Sequence, residues 1–255
     1  MRLATFNILH GRALHDGVVD LNRLTEAVKI LQPDILALQE VDRAQPRSHL
    51  ADLTAVAAEA MGAETHRFVA AMAGIPGATW IAATEPDIPG AASYGIALLS
   101  RYPVRHWEVV RLPRIPFRFP LYLPEPRKLI IVDEEPRTAV IAHLDTPAGP
   151  VVVVNTHLSF VPGWGPWQLR RLGRQLAGLT HPVLVMGDLN LSGRWPARVL
   201  GYRSLASRLT FPRESPDRQL DHILLRGDFG RVAHSEAPAL PLSDHRALVV
   251  DLTFD

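Results

Sequence analysis

In the run Pro33-Asp34-Ile35-Leu36-Ala37-Leu38-Gln39-Glu40-Val41-Asp42, an unbroken apolar segment sits between a proline and a pair of polar residues. Ile35 to Gln39 is too short for a helix and suits a buried strand. Its far end, after Gln39, carries the carboxylate of Glu40. The same pattern recurs along the chain. Short apolar runs predict further strands over Leu3 to Leu9, Gly95 to Ser100, Leu129 to Val132, Ala139 to Leu144, Val151 to Thr156, Val183 to Met186, Leu220 to Leu225 and Ala247 to Leu252.

Helices lie between some of these strands. Asp20 is placed to cap a helix carrying Leu21, Leu24, Val28 and Leu31 on one face, which ends before Pro33. A second is expected from Asp52 to Met61. A third opens at Pro166, with Leu169, Leu172, Leu176 and Leu179 inward and Arg170, Arg171 and Arg174 outward, although Gly173 and Gly178 weaken it. Many strands with fewer helices predict an α/β sandwich whose sheets pack face to face, in one domain over 1–255. The stretch from Arg101 to Arg137, with seven prolines and eight basic residues, is expected to be a long surface excursion.

Composition excludes several classes. Lys and Arg number 27 against 26 Asp and Glu, so the chain lacks the basic excess of a protein that binds nucleic acid mainly through phosphates. There are no cysteines, hence no disulfide and no thiolate metal site. Met1 leads directly into a strand, so no signal peptide is expected, and no apolar run is long enough to span a membrane. A cytoplasmic protein, with a monomer favoured, is the expectation.

Polar residues gather at the predicted strand ends. Asn7, Glu40, Asn155, His157, Asp188 and Asn190 follow apolar runs; Asp221 and His222 interrupt one; Asp244 and His245 precede the last. Carboxylates and carboxamides on one sheet edge suit a hard cation, and aspartates beside histidines suit proton transfer. Taken singly, most are as readily turn residues, surface charges or hydrogen-bonded structural histidines, whereas Asp221 inside an apolar run needs a partner.

Eight blocks together are more specific. Thr-Phe-Asn-Ile-Leu-His-Gly (5–11), the 33–42 run, Tyr-Gly-Ile-Ala-Leu-Leu-Ser-Arg (94–101), Glu-Pro-Arg-Thr-Ala (135–139), Asn-Thr-His-Leu (155–158), Met-Gly-Asp-Leu-Asn (186–190), Leu-Asp-His-Ile-Leu (220–224) and Ser-Asp-His-Arg-Ala-Leu (243–248) occur in this order. In them the chain resembles the endonuclease/exonuclease/phosphatase superfamily, the fold group of DNase I. The resemblance implies a four-layer sandwich of two mixed sheets flanked by helices, and a divalent-metal-dependent phosphoester hydrolase. It implies Glu40, Asn7 and Asp244 at the metal, and Asp188, His245, His157, Asp221 and Asn190 in catalysis. Asn190, Asn155 and Arg137 would hold substrate. The implied cofactor is Mg²⁺, with Mn²⁺ or Ca²⁺ as alternatives.

Substrate is less legible. Apolar loops over 115–124 and 160–167 either pack against the body of the domain or form an apolar rim that suits a lipid-like or other hydrophobic phosphodiester. With the balanced charge, the expectation is a phosphodiesterase or phosphatase on a small-molecule or lipid-like substrate, without stable membrane insertion. A basic groove from Arg111, Arg114, Arg118 and Arg127 would instead indicate a nuclease, and lack of turnover a binding module that kept the fold.

Overall fold

The computed structural model describes residues 1–83, 90–123 and 127–254. In chain order its elements are β1 (Arg2–Asn7), α1 (Leu21–Leu31), β2 (Ile35–Arg43), α2 (Leu53–Met61), β3 (Thr65–Gly74), β4 (Trp80–Ala82), β5 (Ser93–Ser100), β6 (Val104–Leu112), β7 (Phe119–Leu123) and β8 (Lys128–Val132). There follow β9 (Arg137–Thr146), β10 (Gly149–His157), α3 (Trp164–Leu176), β11 (Val183–Asp188), α4 (Trp195–Leu200), β12 (Arg203–Ser204), β13 (Asp221–Arg226), β14 (Arg231–Glu236) and β15 (Leu248–Thr253).

The strands form a seven-stranded sheet ordered β14-β15-β1-β2-β5-β3-β4 and a six-stranded sheet ordered β12-β13-β11-β10-β9-β6. Strand alternation explains the layering. Leu3, Ile35, Ala37, Ile96 and Leu98 face Val140, Val151, Val153, Leu184 and Met186 in a core between the sheets. Their neighbours in sequence, Ala4, Phe6, Leu36 and Leu38, point the other way and are covered by Leu24, Val28, Leu31 and Leu53 of α1 and α2. The outer face of the second sheet, including Val152, Val154, Val183 and Val185, is covered by Leu169, Leu172 and Leu176 of α3. Four layers result, as the resemblance implied.

The caps behave as read. The side chain of Asp20 accepts from the amide of Asn22, and that of Asp52 from the amides of Thr54 and Ala55. The third helix starts at Trp164, before Pro166, and stops at Leu176, so Leu179 packs inward from beyond its end. Gly173 is tolerated because α4 crosses there: a Cβ would meet Leu200 Cδ2 at 2.7 Å.

The expected excursion over Arg101 to Arg137 is corrected. Val104–Leu112 is an edge strand paired antiparallel with β9, and β7 pairs in a separate two-stranded sheet with β8, which contains the strand expected over Leu129 to Val132. Edge strands bury little: β14 has no buried residue and β6 only Leu112, so their apolar pattern is weak and neither is expected from sequence. Of the apolar loop over 115–124, Ile115 is buried and Phe117 is exposed, while Pro124 lies outside the described residues.

Candidate active site

Register builds the site. β1 and β2 run parallel with Asn7 opposite Gln39, which brings Asn7 beside Glu40. β10 and β11 run parallel with His157 opposite Asp188, and β13 sets Asp221 opposite Asp188 on the other side. Two backbone features aim the side chains. Glu40 is the extra residue of a β-bulge between β2 and β5 and has φ of +56°, which turns its carboxylate out of the sheet alternation. Gly187 has φ of +143°, and a Cβ there would lie 1.9 Å from Thr156 O, so only glycine lets β10 and β11 approach beside Asp188.

Asp188 is the hub. Its Oδ2 accepts from Asn7 Nδ2 at 3.0 Å and lies 3.5 Å from His157 Nε2 and 3.7 Å from His245 Nε2. Its Oδ1 accepts from the Asn190 amide at 3.0 Å. Asn7 Nδ2 also donates to Glu40 Oε1 at 3.0 Å. Behind His245, Asp221 Oδ2 accepts from Nδ1 at 2.8 Å, and both side chains are buried. Phe211 packs against the His245 ring with centroids 4.8 Å apart. Ser243 ties this segment to β1 by donating to Asn7 O at 2.6 Å while its hydroxyl oxygen accepts from the His245 amide at 3.0 Å.

The two histidines differ in charge. Burial opposes protonation of His245, but Asp221 and Asp188 outweigh it and raise its pKa from 6.5 to about 10. His157 is held well below its ordinary value by burial and by the Arg137 guanidinium. Arg137 can only donate, and its Nη1 lies 3.1 Å from His157 Nδ1, which assigns the ring proton to Nε2, facing Asp188. Asn190 Nδ2 donates to Leu158 O at 3.0 Å. It also lies 3.2 Å from His157 Nε2, a contact between two donors in this tautomer, so the amide holds the ring by packing.

The carboxylates repel one another. Glu40 rises to about 7 through burial and the nearby Asp244, Asp188 and Glu135, and Asp188 rises to about 6, chiefly through burial. Oxygen donors crowded to this degree fit a hard divalent cation, whose charge would relieve the repulsion. Oxygens of Asp188 and Asp221 and a nitrogen of His245 also lie within 4.8 Å of one another. An imidazolium already bonded to Asp221 offers no lone pair, so the cation position that fits is on the Glu40 side.

A cavity of about 390 Å³ opens over these groups, lined also by His10, Arg47, Tyr94, Asp133, Glu134, Glu135, Arg137 and Phe160. Of the residues weighed from sequence, Asn7, Glu40, His157, Asp188, Asn190, Asp221 and His245 meet in one neighbourhood. Asp244 is near enough to raise Glu40. Arg137 is buried in the wall, 3.7 Å from Glu134. Two expectations are revised. Asn155 is buried, with Nδ2 donating to Leu38 O and Ala97 O and Oδ1 accepting from Gln39, so all its capacity joins the two sheets and none faces substrate. Asn7 directs its nitrogen at the carboxylates while its oxygen accepts from the Leu9 amide at 3.1 Å, so it holds the carboxylates as a donor and does not present the oxygen a cation needs.

Arg47 lines the cavity but is engaged by Asp42 at 2.8 Å through both Nε and Nη2. Phe160 opens the apolar loop over 160–167 expected near the site, whereas Tyr94 and Glu134 had no site role assigned from sequence. Tyr94 sits inside a quoted block and Glu134 three residues before Arg137, so proximity to the motifs was the available signal. Among the described residues, no helix is long and apolar enough to cross a membrane.

Two stacked mixed sheets clad in helices, with acids and imidazoles gathered at one end, define the DNase I-like class of sandwich. The chain belongs to the Endonuclease/Exonuclease/phosphatase family, whose profile matches residues 4–245. No curated protein sequence matches it. Among solved structures, the chain is similar to an endonuclease/exonuclease/phosphatase from Beutenbergia cavernae DSM 12333, with a TM-score of 0.70, 25% identity, and 99% of this chain and 71% of that one covered. It is also similar in fold to a mannosyl-6-phosphatase from Bacteroides thetaiotaomicron VPI-5482, with a TM-score of 0.63, 16% identity and both chains fully covered. Truncated TDP2 from Caenorhabditis elegans aligns with a TM-score of 0.61 and 19% identity over 98% of this chain and 95% of that one. Members of this family are hydrolases acting on phosphoesters and generally use a divalent metal.

Proposed function

We propose that the protein hydrolyses a small or lipid-like phosphoester, monoester or diester, with Mg²⁺ or a similar cation at Glu40. The observation that carries this reading is the Asn7 amide bridging Glu40 and Asp188 at 3.0 Å each, beside the Asp221–His245 dyad. A cation held by Glu40, with Asp244 close by, would polarise the phosphoryl oxygen and offset the developing charge. Asp188, pushed up to about 6, is poised to take a proton from the attacking water at Oδ2. His245 is charged and presents Nε2–H to the same space, so it donates that proton to the departing oxygen. Asp221 fixes its tautomer and stabilises the imidazolium. His157 and Asn190 offer donors to the phosphate oxygens, with His157 remaining neutral.

The size and charge of the pocket favour a small substrate over nucleic acid. Five carboxylates, Glu40, Asp133, Glu134, Glu135 and Asp188, line it against Arg47 and Arg137. Three of the four arginines that would have made a nucleic-acid groove are already engaged, and the fourth, Arg127, is exposed. Arg114 and Arg118 pair with Asp133, and Arg111 donates to Ala70 O.

A metal-supplemented screen tests the reading. It would compare bis-p-nitrophenyl phosphate, p-nitrophenyl phosphate, phospholipids, plasmid DNA and abasic duplexes. Turnover on the small esters or lipids is expected with Mg²⁺ or Mn²⁺ and is lost on chelation. Glu40→Gln and His245→Ala each lower it by on the order of 10²-fold or more. Wild-type rates in both variants would refute the assignment.

A further inference from the structure

Charge is unevenly distributed along the chain. Residues 159–213 hold eight arginines and one acid, Asp188, which belongs to the pocket. The formal charge of this segment is therefore +7, against −6 for the remaining 200 residues. Besides the buried strand β11, the segment holds α3, α4 and β12, on the outer layer and edge of the six-stranded sheet, and its arginines lie outside β11. Arg170, Arg171, Arg174, Arg194, Arg198 and Arg203 are exposed and, among the described residues, have no ion-pair partner. A second cavity, of about 530 Å³, opens on this face between α4 and β12. Arg194, Arg198, Ser204, Ser207 and Gln219 line it, and no carboxylate does.

Apolar groups stand among these arginines. Trp195 is 57% exposed, Leu209 48% and Trp167 37%. Trp167 stacks on Trp164 at 4.6 Å between ring centroids, and Trp164 Nε1 donates to Pro113 O at 3.0 Å. The pair is therefore a preset plate that loses little freedom on docking. The two helices begin where loops leave the active site, after His157 and after Asn190. Gly165 at the start of α3 faces Leu191 Cδ2, and Phe160, at the pocket wall, precedes α3.

We propose that this face docks the protein on an anionic lipid surface, with its arginines on headgroup phosphates and Trp167 and Trp195 at the interfacial level. Clustered arginine supplies the attraction, and exposed tryptophan suits the boundary between headgroup and acyl chain. A nucleic-acid strand fits the same face less well. To reach the reacting groups it would have to run its flanking phosphates past Asp133, Glu134 and Glu135, whereas a single lipid headgroup enters the pocket alone. The preference for lipid over nucleic acid rests on the pocket being the reacting site proposed above, while vesicle binding is read separately from turnover.

The test is co-sedimentation of the full chain with vesicles of phosphatidylcholine alone and with phosphatidylserine added. Salt-sensitive binding to the anionic vesicles only is expected. Each arginine near such a surface contributes about fivefold, so Arg170→Gln/Arg171→Gln/Arg174→Gln weakens partition by about 10²-fold. Trp195→Ser weakens it without altering its salt dependence. These side chains lie outside the pocket, so hydrolysis of soluble bis-p-nitrophenyl phosphate stays as in the wild type, and thermal melting verifies folding. No preference for anionic vesicles, or partition unmoved in the triple variant, overturns the proposal. Binding to duplex DNA without binding to vesicles would also overturn it and assign the face to nucleic acid.

Discussion

Asp221→Asn removes one charge and almost no volume from the pocket floor. In the wild type, Asp221 lies 2.8 Å from His245 Nδ1, and the two carboxylates nearest this imidazole, Asp221 and Asp188, lift its pKa from 6.5 to about 10 against the opposing effect of burial. That displacement corresponds to on the order of 5 kcal/mol favouring imidazolium over imidazole. Asp221 contributes through both its charge and its hydrogen bond, so roughly 3 kcal/mol of it should vanish in the variant. That is about two pH units, so His245 then loses its proton near pH 8, and the rate at pH 9 falls by about tenfold relative to the wild type. The assay is the pH profile of kcat on bis-p-nitrophenyl phosphate with Mg²⁺, alongside NMR titration of the His245 ring. The alkaline limb should move down by about two pH units. Stability carries the same signature. Because the folded pKa is raised, the pair stabilises the protein fully below about pH 6.5, and this contribution is lost as pH rises through about 10. The variant should therefore be most destabilised in urea at pH 6 and least at pH 10. An unmoved alkaline limb in a folded variant would refute the reasoning.

Three further outcomes are expected. Glu40 and Asp188, raised to about 7 and about 6, bind more protons folded than unfolded, so the metal-free melting temperature should fall between pH 4 and 7. Mg²⁺ should restore it at pH 7, which differential scanning calorimetry reads, and Glu40→Gln should abolish that response. Asn155→Ala strands Leu38 O, Ala97 O and Gln39 between the sheets, and should cost about 2–4 kcal/mol in urea unfolding while leaving kcat of the folded enzyme within a few-fold. Gly187→Ala puts a methyl 1.9 Å from Thr156 O and should cost about 3 kcal/mol or more, with activity falling further than stability as Asp188 is displaced. Wild-type activity in that variant would show that the strand pair tolerates the shift.

Much of the site is local enough to read from sequence. An apolar run ending in a polar residue is the signature of a buried strand arriving at an edge, and Asn7, Glu40, His157 and Asp188 announced themselves in that way. The caps at Asp20 and Asp52 and the alternation of Leu36 and Leu38 with Ile35 and Ala37 are equally local. They follow from backbone periodicity and from the need to satisfy helix-end amides. The edge strands β6 and β14 were illegible because a strand that buries little need not look apolar.

Tertiary structure decided what like residues do. Asn7 and Asn155 both end apolar strands, yet one faces the pocket and the other bonds to β2 and β5 across the sheet interface. His157 and His245 share a chemistry, yet one has a guanidinium behind it and the other a carboxylate, so one stays neutral and the other charged. Glu40 faces the site because a bulge turns it there, and the bulge exists only relative to β5. Sequence by itself determined which residues were available at the strand ends. Partner, orientation and charge were settled by contacts between segments far apart in the chain, because burial and neighbouring charge set a side chain's protonation and free hydrogen-bonding capacity, and neither is a property of the local sequence.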